Sequence, residues 1–363
     1  MTHANLDPIL SGERISAKDG ADLFSWDLLT LAKAADHRRA LACPGNTVGF
    51  IVDRIINFTN ICEACCAFCA FHARADRIPP YEMTATEIDQ KIEELVACGG
   101  TQVMLQGGLH PDYRLNQYTA MIERVKTRFP GIWLHAFSPA EVVHIARKDS
   151  LSIPAVLAAL KDAGLDSMPG ASDLLVDRIR RTVCPNKVTV DQWRQVMHAL
   201  AENNMKSSAT MTYGMGETLE EKIEHLRVIR EVADETGIIQ AFIPWSFSPA
   251  NTRMSNQLPA TGTDYLTMVA VARIFLDNVP HLQAGWLTEG LHLAQLALAA
   301  GADDMGGVLT EEVVVKATGV DTATTRAELI RLIQDAGKTP VQRDSLYRPV
   351  HVFEDKARNT EAI

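Results

Sequence analysis

The sequence predicts an α/β protein built on a closed (β/α)8 barrel of the TIM type, with a helical N-terminal extension and a polar C-terminal tail. From Val48 onward, short runs of β-branched and aliphatic residues alternate with longer segments of helical period, which is the pattern of βα units. About eight such units can be distinguished, and eight parallel strands close a barrel. The 363 residues accommodate one barrel domain of roughly 250 residues with an extension at each end.

The predicted strands are the short apolar runs, and the predicted helices are the amphipathic segments between them. In chain order the strands span Gly49–Phe58, Gln102–Leu105, Ile132–Phe137, Leu165–Met168, Ser207–Tyr213, Ile239–Trp245, Leu282–Trp286 and Ala302–Val308. The first helix of the barrel begins near Thr84, whose spacing to Glu87 predicts a capping box. The later helices span Leu115–Thr127, Ile153–Ala163, Val190–Asn203, Leu219–Glu235, Asp264–Asp277, Glu289–Ala299 and Thr325–Ala336. We therefore expect a helical extension at 1–45, the barrel at 46–336 and a C-terminal extension at 337–363.

Composition and charge exclude several classes of protein. Lys and Arg number 35 against 45 Asp and Glu, a net charge of −10 without a basic segment, so no nucleic-acid partner is expected. No apolar run reaches the roughly 20 residues of a membrane span. The first residues, MTHANLDPILSGERIS, lack the basic and apolar segments of a secretory signal. A cytoplasmic protein is expected.

Cysteine is the unusual feature of the composition, because four of the seven cysteines lie between residues 62 and 69. An odd number in a chain without an export signal indicates reduced thiols. Cys62, Cys66 and Cys69 have the spacing C-x3-C-x2-C directly after the first predicted strand. Thiolates suit iron–sulfur clusters, which normally take four cysteine ligands. Three ligands in one loop leave one iron of a [4Fe–4S] cluster free to bind another molecule.

Two alternatives remain open for this loop. A zinc site normally uses paired C-x2-C elements, and Cys98 and Cys184 do not supply a second pair. Inert buried thiols are the other alternative. Cys65 also has the spacing C-x3-C with Cys69, but that frame lacks a third cysteine, so Cys65 is predicted to be a bystander.

The motif C-x3-C-x-Φ-C, with Phe68 as the aromatic residue, resembles the signature of radical S-adenosylmethionine (radical SAM) enzymes. The resemblance implies that Cys62, Cys66 and Cys69 bind a [4Fe–4S] cluster and that SAM chelates the remaining iron. Reductive cleavage of SAM would then yield a 5′-deoxyadenosyl radical. It also implies an electron donor such as flavodoxin or ferredoxin.

Longer runs resemble the menaquinone and deazaflavin branch of this superfamily. They are Ile51–Asn60, Gly100–Asp112, His135–Glu141, Ala241–Pro249 and Gly337–Tyr347. Within the branch the chain is most similar to the dehypoxanthine futalosine cyclases of the futalosine route to menaquinone. This implies hydrogen abstraction from the ribose of a small nucleoside-derived substrate, followed by formation of a spirocyclic C–C bond. The alternative is a paralogue with a different nucleoside-like substrate, similar to aminofutalosine synthase or to the deazaflavin enzymes.

The resemblance also assigns residues to the cofactor. Gly107 and Gly108 follow the second predicted strand, where the missing side chains let the backbone approach the methionine amino group of SAM. Gln106, Phe68, Asp173, Phe242 and Ile243 complete the predicted cofactor-binding set. An Asp at the position of Asp173 could equally cap a helix or lie in its first turn.

Four residues at predicted strand ends are candidates for contact with the substrate. They are His135, Tyr213, Glu217 and Trp245, which carry stacking or hydrogen-bonding groups. No catalytic acid or base is predicted.

The chain departs from the cyclase pattern at several places while the cysteine motif is intact. These departures are Gly170–Asp173, Met215, Gly285, Glu289 and Asp303–Met305. Because they fall at the predicted strand ends, they bear on the identity of the substrate.

Overall fold

A computed structural model describes residues 6–308 and 313–354 of the chain. The strands are β1 Thr47–Ile51, β2 Asp53–Asn57, β3 Gln102–Gln106, β4 Trp133–Ala136, β5 Ser167–Met168, β6 Lys206–Tyr213, β7 Ile239–Ser246, β8 His281–Leu282, β9 Asp304–Gly307, β10 Thr339–Arg343 and β11 Pro349–Val352. Neighbouring strands from β2 to β8 pair in parallel in chain order.

The helices are α1 Asp7–Leu10, α2 Ala17–Asp22, α3 Leu28–Ala42, α4 Ala85–Ala97, α5 Leu115–Arg128, α6 Pro139–Asp149, α7 Ile153–Ala163, α8 Asp177–Val183, α9 Val190–Glu202, α10 Leu219–Thr236, α11 Gly262–Phe275, α12 Trp286–Glu289, α13 Leu291–Ala297 and α14 Arg326–Asp335. Short 3-10 turns lie at Leu23–Ser25 and Lys316–Thr318. Within the described ranges, no helix combines the length and the apolar character needed to cross a bilayer.

The barrel closes through β1 and β9. The first predicted strand is interrupted at Val52, so that β1 and β2 are two halves of one extended segment. β9 pairs in parallel with β1, and a bridge between Gln283 and Asp304 connects it to the segment that follows β8. Hydrogen bonding therefore passes from β2 around to β9 and back to β1. The predicted α/β barrel is confirmed.

The helices around the strands begin where their N-terminal residues satisfy free backbone N–H groups. Thr84 and Glu87 form the predicted capping box of α4, and Thr218 with Glu221 forms another at α10. Gly164 and Gly237 end α7 and α10 with φ values of 115° and 62°, a conformation that glycine adopts without a steric penalty.

Two helices lie where the sequence predicted none. α6 begins directly after β4, with Ser138 accepting a hydrogen bond from the backbone N–H of Glu141. A turn of only three residues separates it from α7, so one βα unit holds two consecutive helices. α8 is a seven-residue helix between β5 and α9. Both helices border the C-terminal ends of the strands, where the cavity described below opens.

The C-terminal segment is not the irregular polar tail that the sequence predicted. β10 pairs in parallel with β1, and β11 pairs antiparallel to β10. Arg343, at the end of β10, forms a two-pronged ion pair with Asp304 at 2.5 and 2.9 Å. These strands were missed because their partner, β1, lies nearly 300 residues earlier in the chain. Residues 355–363 of the predicted extension lie outside the described residues.

A polar cluster at the N-terminal ends of the strands joins the helical extension to the barrel. Cys43 Sγ lies 3.3 Å from Asp303 Oδ2 and 3.7 Å from His281 Nδ1. Asp303 Oδ1 accepts hydrogen bonds from Arg273 and from a backbone N–H group. His281 Nδ1 lies 2.6 Å from Asp303 Oδ2. Because the carboxylate is already neutralised by Arg273 and bonded on both oxygens, we assign this cluster a structural role.

Candidate active site

A cavity of about 480 Å³ occupies the interior of the barrel. It runs from the loop after β2 to polar side chains deep in the barrel. Among the residues expected from the sequence, the cavity is lined by Cys62, Cys66, Cys69, Phe68, Gln106, Gly107, Gly108, His135, Asp173, Ile243 and Trp245. The fold therefore brings eleven predicted residues, from five separate segments of the chain, to one cavity.

The cysteine loop is held in place by backbone contacts to neighbouring βα loops. The N–H of Glu63 donates to the carbonyl of Leu109 at 3.0 Å, and the N–H of Ala67 donates to the carbonyl of Val183 at 2.7 Å. A Cβ at Gly108 would overlap the carbonyl oxygen of Ile61. Only glycine therefore allows the loop after β3 to pack this closely against the cysteine loop.

The three cysteines of the loop are free thiols that line one cavity. Iron–sulfur clusters are bound by cysteine thiolates. The loop therefore supplies three ligands of the kind that a [4Fe–4S] cluster takes.

Cys184, for which the sequence suggested no role, lies beside a predicted cluster ligand. Its side chain hydrogen-bonds to Cys66, and this contact together with burial raises the pKa of the Cys66 thiol. Cys65 by contrast is exposed, in agreement with the expectation that it is a bystander. The neighbour of Cys66 could not be found from spacing, because it lies 118 positions later in the chain.

Glu141 is a cavity residue that the sequence analysis did not select. It is 1% exposed, and its carboxylate accepts from the backbone N–H of Gly107 at 3.2 Å and from Ser138 Oγ at 2.7 Å. Burial raises the pKa of Glu141 to about 8. The S-x-x-E pattern from Ser138 to Glu141 is a signal in the sequence, although by itself it indicates only a helix start.

Asp173 lies in a buried charged cluster. Lys187 Nζ is 2.6 Å from its Oδ2, and Arg180 is 3.7 Å away. Burial by itself would lower the pKa of Lys187. The nearby carboxylate of Asp173 more than offsets this effect, so the pKa of Lys187 is raised. The helix-cap alternative for Asp173 is wrong, because α8 begins at Asp177 and its N-cap is Val176.

Lys187 also lines the cavity and lies 5.7 Å from the centre of the Phe68 ring. Lys187 could not be found from the sequence, because a lysine in the predicted loop before α9 has no distinguishing spacing. Its position beside Phe68 places a positive charge next to the cysteine loop. Such a charge suits an anionic group of a bound ligand.

His135 is neutral and is held by a hydrogen bond to Ser167. Its Nδ1 lies 2.7 Å from Ser167 Oγ, which also accepts from the indole N–H of Trp133 at 2.7 Å. Burial, followed by the positive charge of Arg343, lowers the pKa of His135 to about 3. His135 therefore presents an uncharged imidazole to the cavity.

Three predicted residues do not line the cavity. Tyr213 is buried with Lys222 5.0 Å from the centre of its ring. Glu217 accepts from the backbone N–H groups of Gly214 and Met215 at 2.6 and 2.8 Å, so its carboxylate holds the turn after β6. The side chain of Phe242 is fully buried and lies near the His225 ring of α10. Alternation along β6 and β7 points the side chains of Tyr213 and Phe242 away from the cavity.

The departures from the cyclase pattern separate into two groups. Ala171, Asp173 and Gly285 line the cavity, whereas Met215 is 4% exposed in the hydrophobic core and does not. The expectation that all altered positions face one rim is therefore wrong for Met215. Glu289 accepts from the backbone N–H and hydroxyl of Ser246 at 2.7 and 2.6 Å, which ties α12 to the end of β7.

Backbone strain is concentrated around the same cavity. Cys65, Phe137, Ala171 and Asp173 adopt φ values of 47°, 61°, 38° and 47°. Each such conformation costs a non-glycine residue about 1–3 kcal/mol and persists where the surrounding structure enforces it. These four positions follow β2, β4 or β5, in the loops that border the cavity.

Two family models cover most of the chain. Residues 56–229 match the radical SAM superfamily, and residues 235–356 match the CofH/MqnC C-terminal region. The chain belongs to the radical SAM superfamily. As a radical SAM enzyme of the CofH/MqnC type it uses a [4Fe–4S] cluster and SAM and forms a C–C bond, and the corresponding expectations are confirmed.

Curated relatives carry three different activities. The radical SAM enzyme is 39% identical to a cyclic dehypoxanthine futalosine synthase of Halalkalibacterium halodurans, over 97% of this chain and 95% of the relative. It is 38% identical to a 5-amino-6-(D-ribitylamino)uracil–L-tyrosine 4-hydroxyphenyl transferase of Methanococcoides burtonii, with 92% and 95% covered. It is also 36% identical to an aminodeoxyfutalosine synthase of Thermus thermophilus, with 96% and 95% covered. These identities place the chain in this branch of the superfamily. They are too similar to distinguish among the three reactions.

Solved structures share the fold at low identity. Methylornithine synthase (PylB) superposes with a TM-score of 0.73 and 18% identity, covering 93% of this chain and 97% of that chain. The hydrogenase maturase HydG of Carboxydothermus hydrogenoformans gives a TM-score of 0.76 and 16% identity, with 94% and 80% covered. Both of these structures therefore share the barrel fold of this radical SAM enzyme over most of its chain.

Proposed function

We propose that this radical SAM enzyme converts dehypoxanthine futalosine to cyclic dehypoxanthine futalosine in the futalosine route of menaquinone biosynthesis. The observation that carries the proposal is the cavity of the barrel interior, which joins the cysteine loop to polar side chains on the strands. A ring closure between two parts of one molecule needs enclosure and orientation more than strong acids or bases. The similarity to a cyclic dehypoxanthine futalosine synthase over nearly the whole chain supports the same reaction.

Cys62, Cys66 and Cys69 would hold the cluster. Together with SAM, the cluster supplies the 5′-deoxyadenosyl radical that removes a hydrogen atom from the substrate. The loop that carries the three cysteines is tied to the loops after β3 and α8. These contacts fix the conformation of the cysteine loop before the cofactor binds. The loop therefore loses less conformational entropy when the cofactor binds.

Glu141, Gly107 and Gly108 would receive the amino group of SAM. The buried carboxylate of Glu141 already accepts from the N–H of Gly107, and it has the acceptor capacity for a further N–H donor. Lys187 would face the carboxylate of SAM, with Asp173 holding the ammonium group in place. Phe68, Gln106 and Ile243 line the same part of the cavity and complete the proposed pocket, with the backbone at Phe242 and Ile243 facing the adenine.

His135 and Trp245 would orient the substrate deeper in the barrel. The neutral imidazole of His135 can form a hydrogen bond with a polar group of the substrate, and its low pKa keeps it from acting as a cation or as a strong base. Trp245 lines the cavity while its indole N–H is bonded to Thr212 at 3.1 Å. Its ring face is thus available to an aromatic group. Tyr213 and Glu217 are not retained as substrate contacts, because their side chains do not reach the cavity.

The alternative is a paralogue of the same branch with a different nucleoside-like substrate. It is favoured by the altered residues Ala171 and Gly285, which line the cavity itself. The relative that joins 5-amino-6-(D-ribitylamino)uracil and L-tyrosine shows the range of the branch.

The test is an anaerobic incubation of cluster-loaded enzyme with SAM, dithionite and dehypoxanthine futalosine. Mass spectrometry should show 5′-deoxyadenosine together with a product two hydrogens lighter than the substrate. A parallel incubation with 5-amino-6-(D-ribitylamino)uracil and L-tyrosine should show no coupling. Formation of 5′-deoxyadenosine without the lighter product, or coupling of the uracil and tyrosine, would replace the cyclase by the paralogue.

A further inference from the structure

Cys184 is a buried thiol to which the proposed function gives no task. It lies at the end of α8, and its side chain hydrogen-bonds to the side chain of Cys66, which is also buried. Cys66 lines the cavity, whereas Cys184 does not. Cys184 therefore contacts Cys66 from behind the cavity wall, on the side of the protein interior.

Backbone hydrogen bonds hold the two thiols beside each other. The N–H of Ala67, next to Cys66, donates to the carbonyl of Val183, next to Cys184, at 2.7 Å. The N–H of Cys184 donates to the carbonyl of Arg180 at 2.9 Å, which anchors the end of α8. The backbone is thus fixed at both thiols, and only rotation of a buried side chain could separate the two sulfur atoms.

The proton in this contact belongs to Cys184 once a cluster is bound. Either thiol can donate while both are protonated. A cysteine that ligates iron does so as the thiolate, so Cys66 then has no proton to give. The thiol of Cys184 becomes the donor and the sulfur of Cys66 the acceptor.

Hydrogen bonds to ligand sulfurs help to set the reduction potential of an iron–sulfur cluster. They draw electron density from the sulfur and so favour the more electron-rich, reduced state. Cys69 accepts such bonds from the backbone N–H groups of Phe71 and His72. At Cys66 the donor is a side chain, Cys184, and substitution can therefore remove it without changing the backbone.

The charges beside Cys66 offset one another. Lys187 and Asp173 both act on its sulfur with opposite sign, and their side chains are paired at 2.6 Å. A close pair of opposite charges exerts little net field on a neighbouring group. The hydrogen bond from Cys184 is then the contact whose removal changes the electron density on this sulfur.

We propose that Cys184 is a positioning residue that acts through Cys66, donating its S–H to the cluster-bound sulfur and raising the reduction potential of the cluster. The inference rests on the proposed role of Cys66 as a cluster ligand. In the affected step one electron passes from the reductant to the oxidised [4Fe–4S]²⁺ cluster and gives [4Fe–4S]⁺. No bond to iron is made or broken, and the proton stays on Cys184.

The test is an anaerobic titration of cluster-loaded enzyme with dithionite and redox mediators, in which EPR measures the reduced cluster. Cys184→Ala lacks the donor, and its midpoint potential should fall by about 59 mV, a tenfold smaller ratio of reduced to oxidised cluster at a given potential. Cys184→Ser keeps a hydroxyl donor and should stay close to wild type. Cys98→Ala, at an exposed cysteine, is the control and should match wild type.

Iron content separates a hydrogen-bond donor from a ligand. Both Cys184 variants should keep the wild-type iron content, whereas Cys66→Ala should lose it. If the smaller side chain of Cys184→Ala impairs loading, Cys184→Val fills the volume without a donor and should show the same fall in potential. Loss of iron in both Cys184→Ala and Cys184→Ser would make Cys184 a ligand and overturn the proposal, as would equal potentials in wild type and the variants without a donor. The titration contains no substrate, so absence of the cyclised product would count against the proposed function alone.

Discussion

The four cysteines of the loop have distinct surroundings. Cys62, Cys66 and Cys69 line the cavity, whereas Cys65 is exposed with a φ of 47°. We expect Cys62→Ala, Cys66→Ala and Cys69→Ala each to lose the cluster, because each removes a thiolate ligand. Cys65→Ala should retain it. Iron content and the visible spectrum after anaerobic reconstitution provide the measurement. Loss of iron in Cys65→Ala alone, with the other three loaded, would contradict the assignment.

Glu141 yields the sharpest prediction about SAM. In Glu141→Gln the carboxylate acceptor is replaced by an amide that offers one acceptor oxygen. Loss of a hydrogen bond to a charged group costs about 1.5–3 kcal/mol, or roughly 10- to 100-fold in affinity. We expect the dissociation constant of SAM to rise by that factor in equilibrium dialysis while iron content is unchanged. Glu217→Gln, a buried carboxylate away from the cavity, is the control, and equal SAM binding in wild type and Glu141→Gln would remove Glu141 from the pocket.

At the scale of elements, the loops after β2 and β3 are fitted to each other. A Cβ at Gly108 would overlap the backbone of Ile61, and this carbonyl cannot move aside like the end of a flexible side chain. Gly108→Ala should therefore displace the cysteine loop and lower both iron loading and SAM binding. Gly131→Ala, at a glycine with open space around its Cβ position, should leave both unchanged. Normal iron loading in Gly108→Ala would show that the loop tolerates the displacement.

The elements also show where prediction from sequence succeeds. The limits of α7, α9 and α10 agree with their predicted ranges to within a residue, because caps and amphipathic spacing are local signals. α6 and β10 were missed for different reasons. α6 was missed because one helix was expected after each strand, and only three residues separate α6 from α7. β10 is a strand only because β1 offers it an edge, and that edge is not visible in local sequence. The domain limits at 45 and 336 remain a proposal.

For the whole molecule, buried neutral histidines make stability depend on pH. Burial lowers the pKa of His135 and of His225 to about 3, whereas the unfolded chain protonates histidine near pH 6.5. Between these values the unfolded state binds more protons, so stability is fully present above about pH 6.5 and declines as pH falls. The loss approaches about 1.4 kcal/mol per pH unit for each histidine.

Thermal unfolding at pH 7.5 and pH 5.5 tests this dependence. The melting temperature of wild type should fall at the lower pH, and His225→Gln should show a smaller fall. The control is His351→Gln, at an exposed histidine on β11, which should behave as wild type. A pH dependence that is identical in wild type and His225→Gln would contradict the low pKa.

The sequence by itself predicted the class of barrel, the three cysteines proposed as cluster ligands and the glycines after β3. These depend on spacing and alternation within short segments, so local chemistry is enough to reveal them. Only the tertiary structure decided that Glu141 and Lys187 face the same cavity as the cysteines, and that Tyr213, Glu217 and Phe242 do not. The physical reason is that burial, pairing of charges and the direction of a side chain depend on neighbours that are distant in sequence and adjacent only in the folded barrel.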